Sequence, residues 1–172
     1  MLIVIGGLPG SGKTALARGL ARALDAVHLR IDTIEQALRD ATKDGLEIGA
    51  SGYLVSYGIA LDNLCLGRTV VADCVNPLNR TRAAWRAVGE RAAVAVVEVE
   101  VKCSDVVEHR RRVASRRADI PGLELPTWDE IQRRAYEPWT AAHLVIDTAQ
   151  RTVEQSVTEL YALLLAREGA VR

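Results

Sequence analysis

Short apolar runs alternate with stretches of helical period along the whole chain. The predicted strands are residues 2–5, 26–31, 69–72, 93–101 and 144–147. Apolar spacing predicts helices at 14–24, 33–41, 53–66, 104–117 and 153–166, with another ending near Arg91 after the turn at 76–79. Residues 127–136 form one more predicted helix, because Thr127 and Glu130 have the spacing of a capping box. Strands that alternate with helices in this way predict an α/β fold with a parallel, doubly wound sheet.

Length and composition restrict the class of protein. The 172 residues suit one domain, and 49% hydrophobic with 26% charged residues is typical of a globular chain. The net charge of zero argues against binding driven by nucleic-acid phosphates. A strand at the N-terminus leaves no room for a signal peptide, and no apolar run has the roughly 20 residues of a membrane span. Three cysteines without C-x-x-C spacing predict buried free thiols and a cytoplasmic location.

A glycine-rich segment between the first strand and the first helix has the complete pattern G-x-x-x-x-G-K-T. Its residues are Gly7, Leu8, Pro9, Gly10, Ser11, Gly12, Lys13 and Thr14. The glycines let consecutive backbone N–H groups point at phosphate oxygens, and the helix N-terminus adds positive potential. From a solvated loop, Lys13 would reach the β- and γ-phosphates, and the Thr14 hydroxyl would bind Mg²⁺. A chance glycine-rich turn is disfavoured, because the motif is complete and lies between a strand and a helix.

Two aspartates follow predicted strands that end at the same edge of the sheet as this loop, where ligands bind in open α/β sheets. Asp73 follows an apolar run and is the candidate Mg²⁺ carboxylate. Asp32 is then the candidate base that accepts a proton from an attacking hydroxyl. The alternative for Asp32 is a helix N-cap, because Asp32 and Glu35 also have D-x-x-E spacing.

Five arginines follow the fourth strand and precede a loop rich in proline and glycine: Arg110, Arg111, Arg112, Arg116 and Arg117. A lid over residues 110–127 would close on the phosphates and stabilise the charge that develops during transfer. Arg112 and Arg116 are the candidates for this role. The alternative is a solvated helix face on which the arginines pair with Asp105 and Glu108.

Residues of the third and fourth predicted helices are candidates for an acceptor pocket. Tyr53 and Tyr57 lie one helical turn apart, which favours core packing, although one hydroxyl could face an acceptor. Asn76 and Arg80, together with Asn79 and Arg82, follow Asp73 and are either pocket residues or ordinary surface residues at a helix start.

Three classes of phosphate-loop protein differ in the segments that accompany the loop. A GTP-binding switch needs an N/T-K-x-D segment, which the sequence lacks. A mechanical ATPase usually has an acidic pair after its third-strand aspartate, but Cys74 follows Asp73 here. A small kinase needs the phosphate loop, an aspartate after the second strand and an arginine-bearing lid. The sequence has all three in order.

The chain resembles the small kinase-like ATP-binding proteins of the AAA type, which include chloramphenicol phosphotransferase, adenylylsulfate kinase, gluconate kinase and the zeta toxins. The resemblance rests on residues 7–14, 30–32, 70–73, 76–80, 96–116, 136–139 and 145–148. It implies a three-layer phosphate-loop NTPase fold, nucleoside-kinase-like, with a five-stranded parallel sheet. It also implies that Asp32 is the base and that Asp147 and Thr148 lie near the adenine.

The sequence therefore predicts an enzyme that moves the γ-phosphate of ATP, bound with Mg²⁺, to a hydroxyl of a small molecule. Nucleotide contacts are expected from residues 7–14, and the monomer or a homodimer would be the working form. A regulatory ATPase without a small-molecule acceptor is the alternative. A polynucleotide 5′-kinase is a third possibility, which zero net charge disfavours.

Overall fold

Five parallel strands form one sheet in the computed structural model, which describes residues 1–42 and 48–169. The strands are β1 (Leu2–Gly6), β2 (Val27–Arg30), β3 (Val70–Asp73), β4 (Val96–Lys102) and β5 (Leu144–Asp147). Their order across the sheet is β2-β3-β1-β4-β5. The helices are α1 (Lys13–Ala23), α2 (Ile31–Ala41), α3 (Ser51–Cys65), α4 (Asn79–Arg91), α5 (Val106–Ser115), α6 (Trp128–Arg133) and α7 (Val153–Gly169). The predicted fold class is confirmed.

Side chains that alternate along the strands divide the core into two layers. Ile3 and Ile5 on one face of β1 pack in a cluster with residues of α1 and α7. Leu2 and Val4 point to the other face and join a cluster with residues of α3 and α4. The sheet is therefore covered on both sides, which explains why β1 and β3 are almost continuously apolar.

The strand register brings all five carboxyl ends to one edge of the sheet. Arg30 at the end of β2 is level with Asp73 at the end of β3, and Ile5 in β1 is level with the same residue. On the other side, Lys102 of β4 is level with Asp147 of β5. The segments that follow these strands must therefore meet above this edge.

Several predicted boundaries shift by a few residues. β4 begins at Val96 rather than residue 93, because Ala93 closes α4 in a left-handed conformation with φ of 52°. Helix α2 begins at Ile31, directly after β2, and α6 ends at Arg133. The predicted capping box of Thr127 and Glu130 is confirmed. Of the loop predicted at 43–52, residues 43–47 lie outside the described residues.

Two further sequence expectations concern thiols and membranes. Cys74 and Cys103 are buried and unpaired, as predicted, but the prediction was wrong for Cys65, which is exposed near the end of α3. None of the helices within residues 1–42 and 48–169 combines the length and the apolar character that a membrane span needs.

Candidate active site

The glycine-rich loop turns sharply from β1 into α1. Gly10 and Gly12 have φ values of 84° and 92°, in the left-handed region that favours glycine, and Gly12 is the N-cap of α1. A Cβ atom at Gly10 would also lie 2.5 Å from the Val113 side chain of α5. The loop therefore depends on glycine for both its conformation and its packing, and it opens at a helix N-terminus, where anions bind.

Thr148, the residue directly after β5, holds this loop by hydrogen bonds. Its hydroxyl donates a hydrogen bond to the Ser11 carbonyl at 2.7 Å and accepts one from the Arg112 guanidinium at 2.8 Å. Arg112 also donates to the Thr148 carbonyl at 2.8 Å and to Glu108 at 2.7 Å. His109 adds a contact of 2.9 Å between its Nε2 and the Pro9 carbonyl. Helix α5 and the end of β5 thus hold the loop from behind.

This bracing changes the roles expected for two sites of the nucleotide side. Thr148 is buried and its hydroxyl is occupied by protein groups, so its side chain is not open to an adenine. Asp147 accepts hydrogen bonds from the backbone N–H groups of Ser104 and Ala149, both at 3.0 Å. Both residues fix loops at the ends of β4 and β5.

Asp73 and Thr14 meet where β3 ends beside α1. The Thr14 hydroxyl lies 3.3 Å from Asp73 Oδ1, and His28 Nε2 lies 3.4 Å from Asp73 Oδ2. Burial alone would raise the pKa of Asp73, but the adjacent His28 imidazole and the charge of Lys13 lower it below its usual value. A carboxylate is therefore kept ionised in the interior, next to a hydroxyl.

Two cavities lie on either side of the loop. The smaller one, of about 320 Å³, is bounded by Gly10, Gly12 and Thr14 and by lid residues. The larger one, of about 930 Å³, extends between α2, α3 and α4. Lys13, Asp32, Arg116 and Leu125 line both cavities. The candidate phosphate ligands and the candidate base are thus placed at the junction of two spaces.

Lys13 is the first residue of α1 and is 5% exposed, so the expectation that it lies in a solvated loop was wrong. In the described part of the chain, its ammonium group makes no ion pair and no hydrogen bond. A buried cation without a protein partner at a cavity wall is suited to bind an anion.

Asp32 lies in the first turn of α2, with its side chain about one-third exposed. Arg30 is the N-cap of this helix and no side chain caps it, so the alternative that Asp32 is the N-cap was wrong. Its closest described charged partner is the Arg30 guanidinium at 3.5 Å, which is the limit for a hydrogen bond. The carboxylate therefore retains free acceptor sites.

The five lid arginines divide into different environments. Arg110, Arg111 and Arg117 are exposed. Arg112 pairs with Glu108, as the solvated-face alternative expected, although it also lines the smaller cavity. Arg116 is half-buried, its Nε has no hydrogen-bond partner among the described residues, and burial lowers its pKa. Arg116 is the arginine best placed to bind a ligand group at the junction.

The acceptor-side candidates are only partly brought together. Tyr53 and Tyr57 line the larger cavity and also pack on its apolar wall, where Tyr57 stacks edge-on against Trp85 at 4.7 Å. Arg80 is exposed and lines the same cavity. Asn76 is fully buried and is not part of the wall of that cavity, so the assignment of Asn76 to a substrate contact was wrong. Its side-chain amide is buried, and neither its nitrogen nor its oxygen has a hydrogen-bond partner among the described residues.

One polar face of the larger cavity was not predicted from the sequence. Asp32, Glu35, Gln36 and Arg39 all line it from α2. Their spacing of i, i+3, i+4 and i+7 places them on one side of a helix. This periodicity is visible in the sequence and would have extended the candidate site beyond Asp32.

Arg82 is a buried structural residue rather than a pocket residue. Its side chain donates to the carbonyls of residues 76, 77, 137 and 138 at 2.8–3.2 Å and stacks on Trp139 at 4.1 Å. It therefore fixes the segment after α6 against the start of α4, beside the loop.

The substitution Arg82→Ala is expected to destabilise the protein by about 3 kcal/mol or more, because it leaves several buried carbonyls without donors. Chemical denaturation followed by circular dichroism measures this change. Arg80→Ala is the matched control, since Arg80 is exposed two residues away and its loss should change the unfolding free energy by less than about 0.5 kcal/mol. Equal effects of the two variants would contradict a structural role for Arg82.

The parallel sheet, the phosphate loop at its edge and the arginine-bearing lid define a kinase-like protein of the phosphate-loop class. The chain belongs to the AAA domain family, whose model matches residues 2–138.

Relatives and solved structures agree with this class. A probable adenylyl-sulfate kinase from Aeropyrum pernix is 29% identical, over 96% of this chain and 93% of its own. The structure of the Mycobacterium tuberculosis APS kinase CysC in complex with AMPPNP and APS superposes with a TM-score of 0.67 and 21% identity, covering 95% of this chain and 96% of the other. A gluconokinase from Sinorhizobium meliloti superposes with a TM-score of 0.68 at 19% identity, and the match covers 98% of this chain and 94% of the other.

A structure of Kti12 from Chaetomium thermophilum in complex with ADP-AlF3 has a similar fold. Its TM-score is 0.69 at 20% identity, and the match covers 94% of this chain and 98% of that one. The kinases among these relatives support nucleotide-dependent phosphotransfer as the general chemistry. The fold likeness does not define the acceptor.

Proposed function

We propose that this protein is an ATP-dependent phosphotransferase that moves the γ-phosphate to a hydroxyl group of a small molecule. The observation that carries the proposal is the junction of two cavities at Lys13, Asp32 and Arg116. Phosphoryl transfer needs a donor and an acceptor held in line, with cations beside the transferred group. Two spaces that share a lysine, an arginine and a carboxylate provide such an arrangement.

The smaller cavity would hold the triphosphate. Backbone N–H groups of Gly12, Lys13 and Thr14 at the start of α1 and the Lys13 ammonium bind its oxygens, and Arg116 approaches from the lid. In this proposal Arg112, Asp147 and Thr148 act on the nucleotide side as positioning residues, because their polar groups hold the loop and the strand ends.

The larger cavity would hold the acceptor next to Asp32. The hydroxyl proton passes to the Asp32 carboxylate as the hydroxyl oxygen bonds to the γ-phosphorus. The bond between that phosphorus and the β–γ bridging oxygen breaks, and ADP leaves. Tyr53, Tyr57 and Arg80 would contact the rest of the acceptor, since all three line this cavity.

Thr14 and Asp73 fit a Mg²⁺ ion. Hard oxygen donors suit this ion, and Asp73 Oδ2 is buried without a hydrogen-bond partner among the described residues. Among these residues no group of three or more His, Cys, Asp or Glu side chains forms a metal cluster. The phosphates and water molecules would therefore supply most of the coordination, as is usual for Mg²⁺ at such sites. When bound, the ion would neutralise phosphate charge.

The substitution Asp73→Asn is expected to raise the Mg²⁺ concentration needed for tight AMPPNP binding by about tenfold or more, because it removes the anionic ligand. Isothermal titration of AMPPNP at several Mg²⁺ concentrations measures this dependence. The matched control is Asp40→Asn, an exposed aspartate near the end of α2. An unchanged Mg²⁺ requirement in the Asp73 variant would contradict the proposed role of this carboxylate.

The proposed function is tested with radiolabelled ATP and a panel of hydroxyl acceptors that includes adenylyl sulfate and gluconate, which the names of the relatives suggest. Transfer of label to any acceptor, faster than hydrolysis without acceptor, is the expected result. ATP hydrolysis without acceptor that is as fast as transfer with acceptor would instead favour an ATPase. The structural similarity to Kti12 is compatible with this alternative. Oligonucleotide binding with a steep salt dependence would favour a polynucleotide kinase.

A further inference from the structure

Arg30 lies between the candidate base and the lid. It is the last residue of β2 and the N-cap of α2, so its backbone is fixed by the sheet on one side and the helix on the other. Its side chain is 10% exposed. It is level with Asp73 in the neighbouring strand.

The Arg30 guanidinium faces three carboxylates from three different segments. Its Nη1 donates to both Asp119 oxygens, at 3.0 and 2.9 Å. Its Nη2 is 3.5 Å from Asp32, and its Nε is 3.9 Å from Asp73. The guanidinium is thus drawn towards Asp119 and only loosely contacts the other two. Its Nε is buried and has no hydrogen-bond partner among the described residues.

Asp119 belongs to the part of the lid that lies between α5 and α6, residues 116–127. It also pairs with Arg18 of α1. Among the described residues, the ion pairs between this part of the lid and the rest of the chain both end on Asp119. Burial alone would raise the pKa of Asp119, but hydrogen bonds from the two arginines lower it to about 2. The carboxylate is therefore charged at neutral pH.

We propose that Asp119 and Arg30 form a latch that couples docking of the lid to the availability of Asp32. With the lid docked, Asp119 holds the Arg30 guanidinium away from Asp32, whose oxygens stay free for an acceptor hydroxyl. When the lid is released, Arg30 pairs with Asp32. Arg30 is thus a positioning residue, and the inference rests on the proposed role of Asp32 as the base.

The chemical reason is that a close guanidinium weakens a carboxylate base in two ways. It favours the charged form of the carboxylate, and it fills the acceptor sites that a substrate hydroxyl needs. A released lid would therefore leave bound ATP with an inactive base. This arrangement would limit transfer until the lid excludes water from the junction.

The first test is structural and needs no acceptor. Crystal structures of the wild type and of Asp119→Ala, both with Mg²⁺ and AMPPNP, give the distance from Arg30 to Asp32. We expect this distance to shorten in the variant to about 2.8 Å, typical of a charged hydrogen bond. If Arg30 remains 3.5 Å or more from Asp32 in the variant, the latch is overturned. Asp119 is on an exposed part of the lid, and Asp119→Asn provides a second variant that preserves its shape.

The second test is a rescue experiment on phosphate transfer from ATP to the best acceptor of the panel. Asp119→Ala should lower kcat about tenfold, because the base is blocked. Adding Arg30→Gln to Asp119→Ala should raise kcat by at least about threefold, because no guanidinium is left to pair with Asp32. A lid that merely loosens would be impaired further by the second substitution.

Arg18→Gln is the matched control, since it removes the other partner of Asp119 without freeing Arg30. Adding Arg30→Gln to Arg18→Gln should give no recovery of kcat. Recovery in this control, or none in the Asp119 variant, would contradict the latch. A wild type that phosphorylates no acceptor would refute the proposed function instead, while the crystallographic distance still decides the latch.

Discussion

Lys13→Ala is expected to lower phosphate transfer by about 10³-fold or more, because it removes a cation that we propose to bind the transferred phosphate. The ammonium group is buried at the junction of the two cavities and pairs with no described side chain. Its charge is therefore available to stabilise the negative charge that develops on the phosphate oxygens. Transfer from radiolabelled ATP under saturating nucleotide measures the loss.

The Lys13→Ala variant should retain the fold, because loss of the ammonium group leaves no protein group without a hydrogen bond or ion pair. A far-UV circular dichroism spectrum and a thermal melt check this point. Arg111→Ala is the matched control, an exposed arginine on α5 whose loss should leave transfer unchanged. Parental activity in Lys13→Ala would show that the glycine-rich loop is not the phosphate site.

Asp32→Asn is expected to lower kcat by about 10²- to 10⁴-fold, the usual contribution of a general base. The amide keeps the shape of the side chain but cannot accept the proton. AMPPNP affinity should stay within a few-fold of the parent value, because the proposed triphosphate contacts lie in the glycine-rich loop. Single-turnover kinetics and isothermal titration separate the two effects.

Asp40→Asn serves as the control on the same helix, two turns further along and outside the residues that line the cavities. It should leave both kcat and AMPPNP affinity unchanged. If Asp32→Asn transfers phosphate at the parental rate, Asp32 is not the base. Because Asp32 does not cap α2, a loss of activity could not be attributed to a lost helix cap.

Much of the fold follows from local patterns. The strands are short apolar runs, and β1 and β3, which are buried at every position, have the clearest sequence pattern. β5 also ends at Asp147 as predicted, although it is an edge strand in which Val145 is exposed. The Thr127 capping box is equally local, since its two hydrogen bonds join residues three positions apart. The start of β4 was less predictable, because Ala93 turns the chain after α4 in a left-handed conformation without a glycine.

The long-range roles were not predictable in the same way. Arg80 and Arg82 are two residues apart and look alike in the sequence, yet one lines a cavity and the other is buried against carbonyls of residues 137 and 138. Thr148 was expected near the adenine from the family resemblance. Its hydroxyl instead donates to the carbonyl of Ser11, which is distant in the chain.

By itself, the sequence determined the parallel α/β fold, the phosphate loop and the strand ends at which Asp32 and Asp73 lie, because each depends on local conformation and apolar period. Only the tertiary structure decided which polar groups face the cavities. It placed Arg116 at the junction, engaged Arg112 and Thr148 behind the loop, and set Arg30 between three carboxylates. The physical reason is that the burial and partners of a side chain depend on segments that folding brings together from distant parts of the chain.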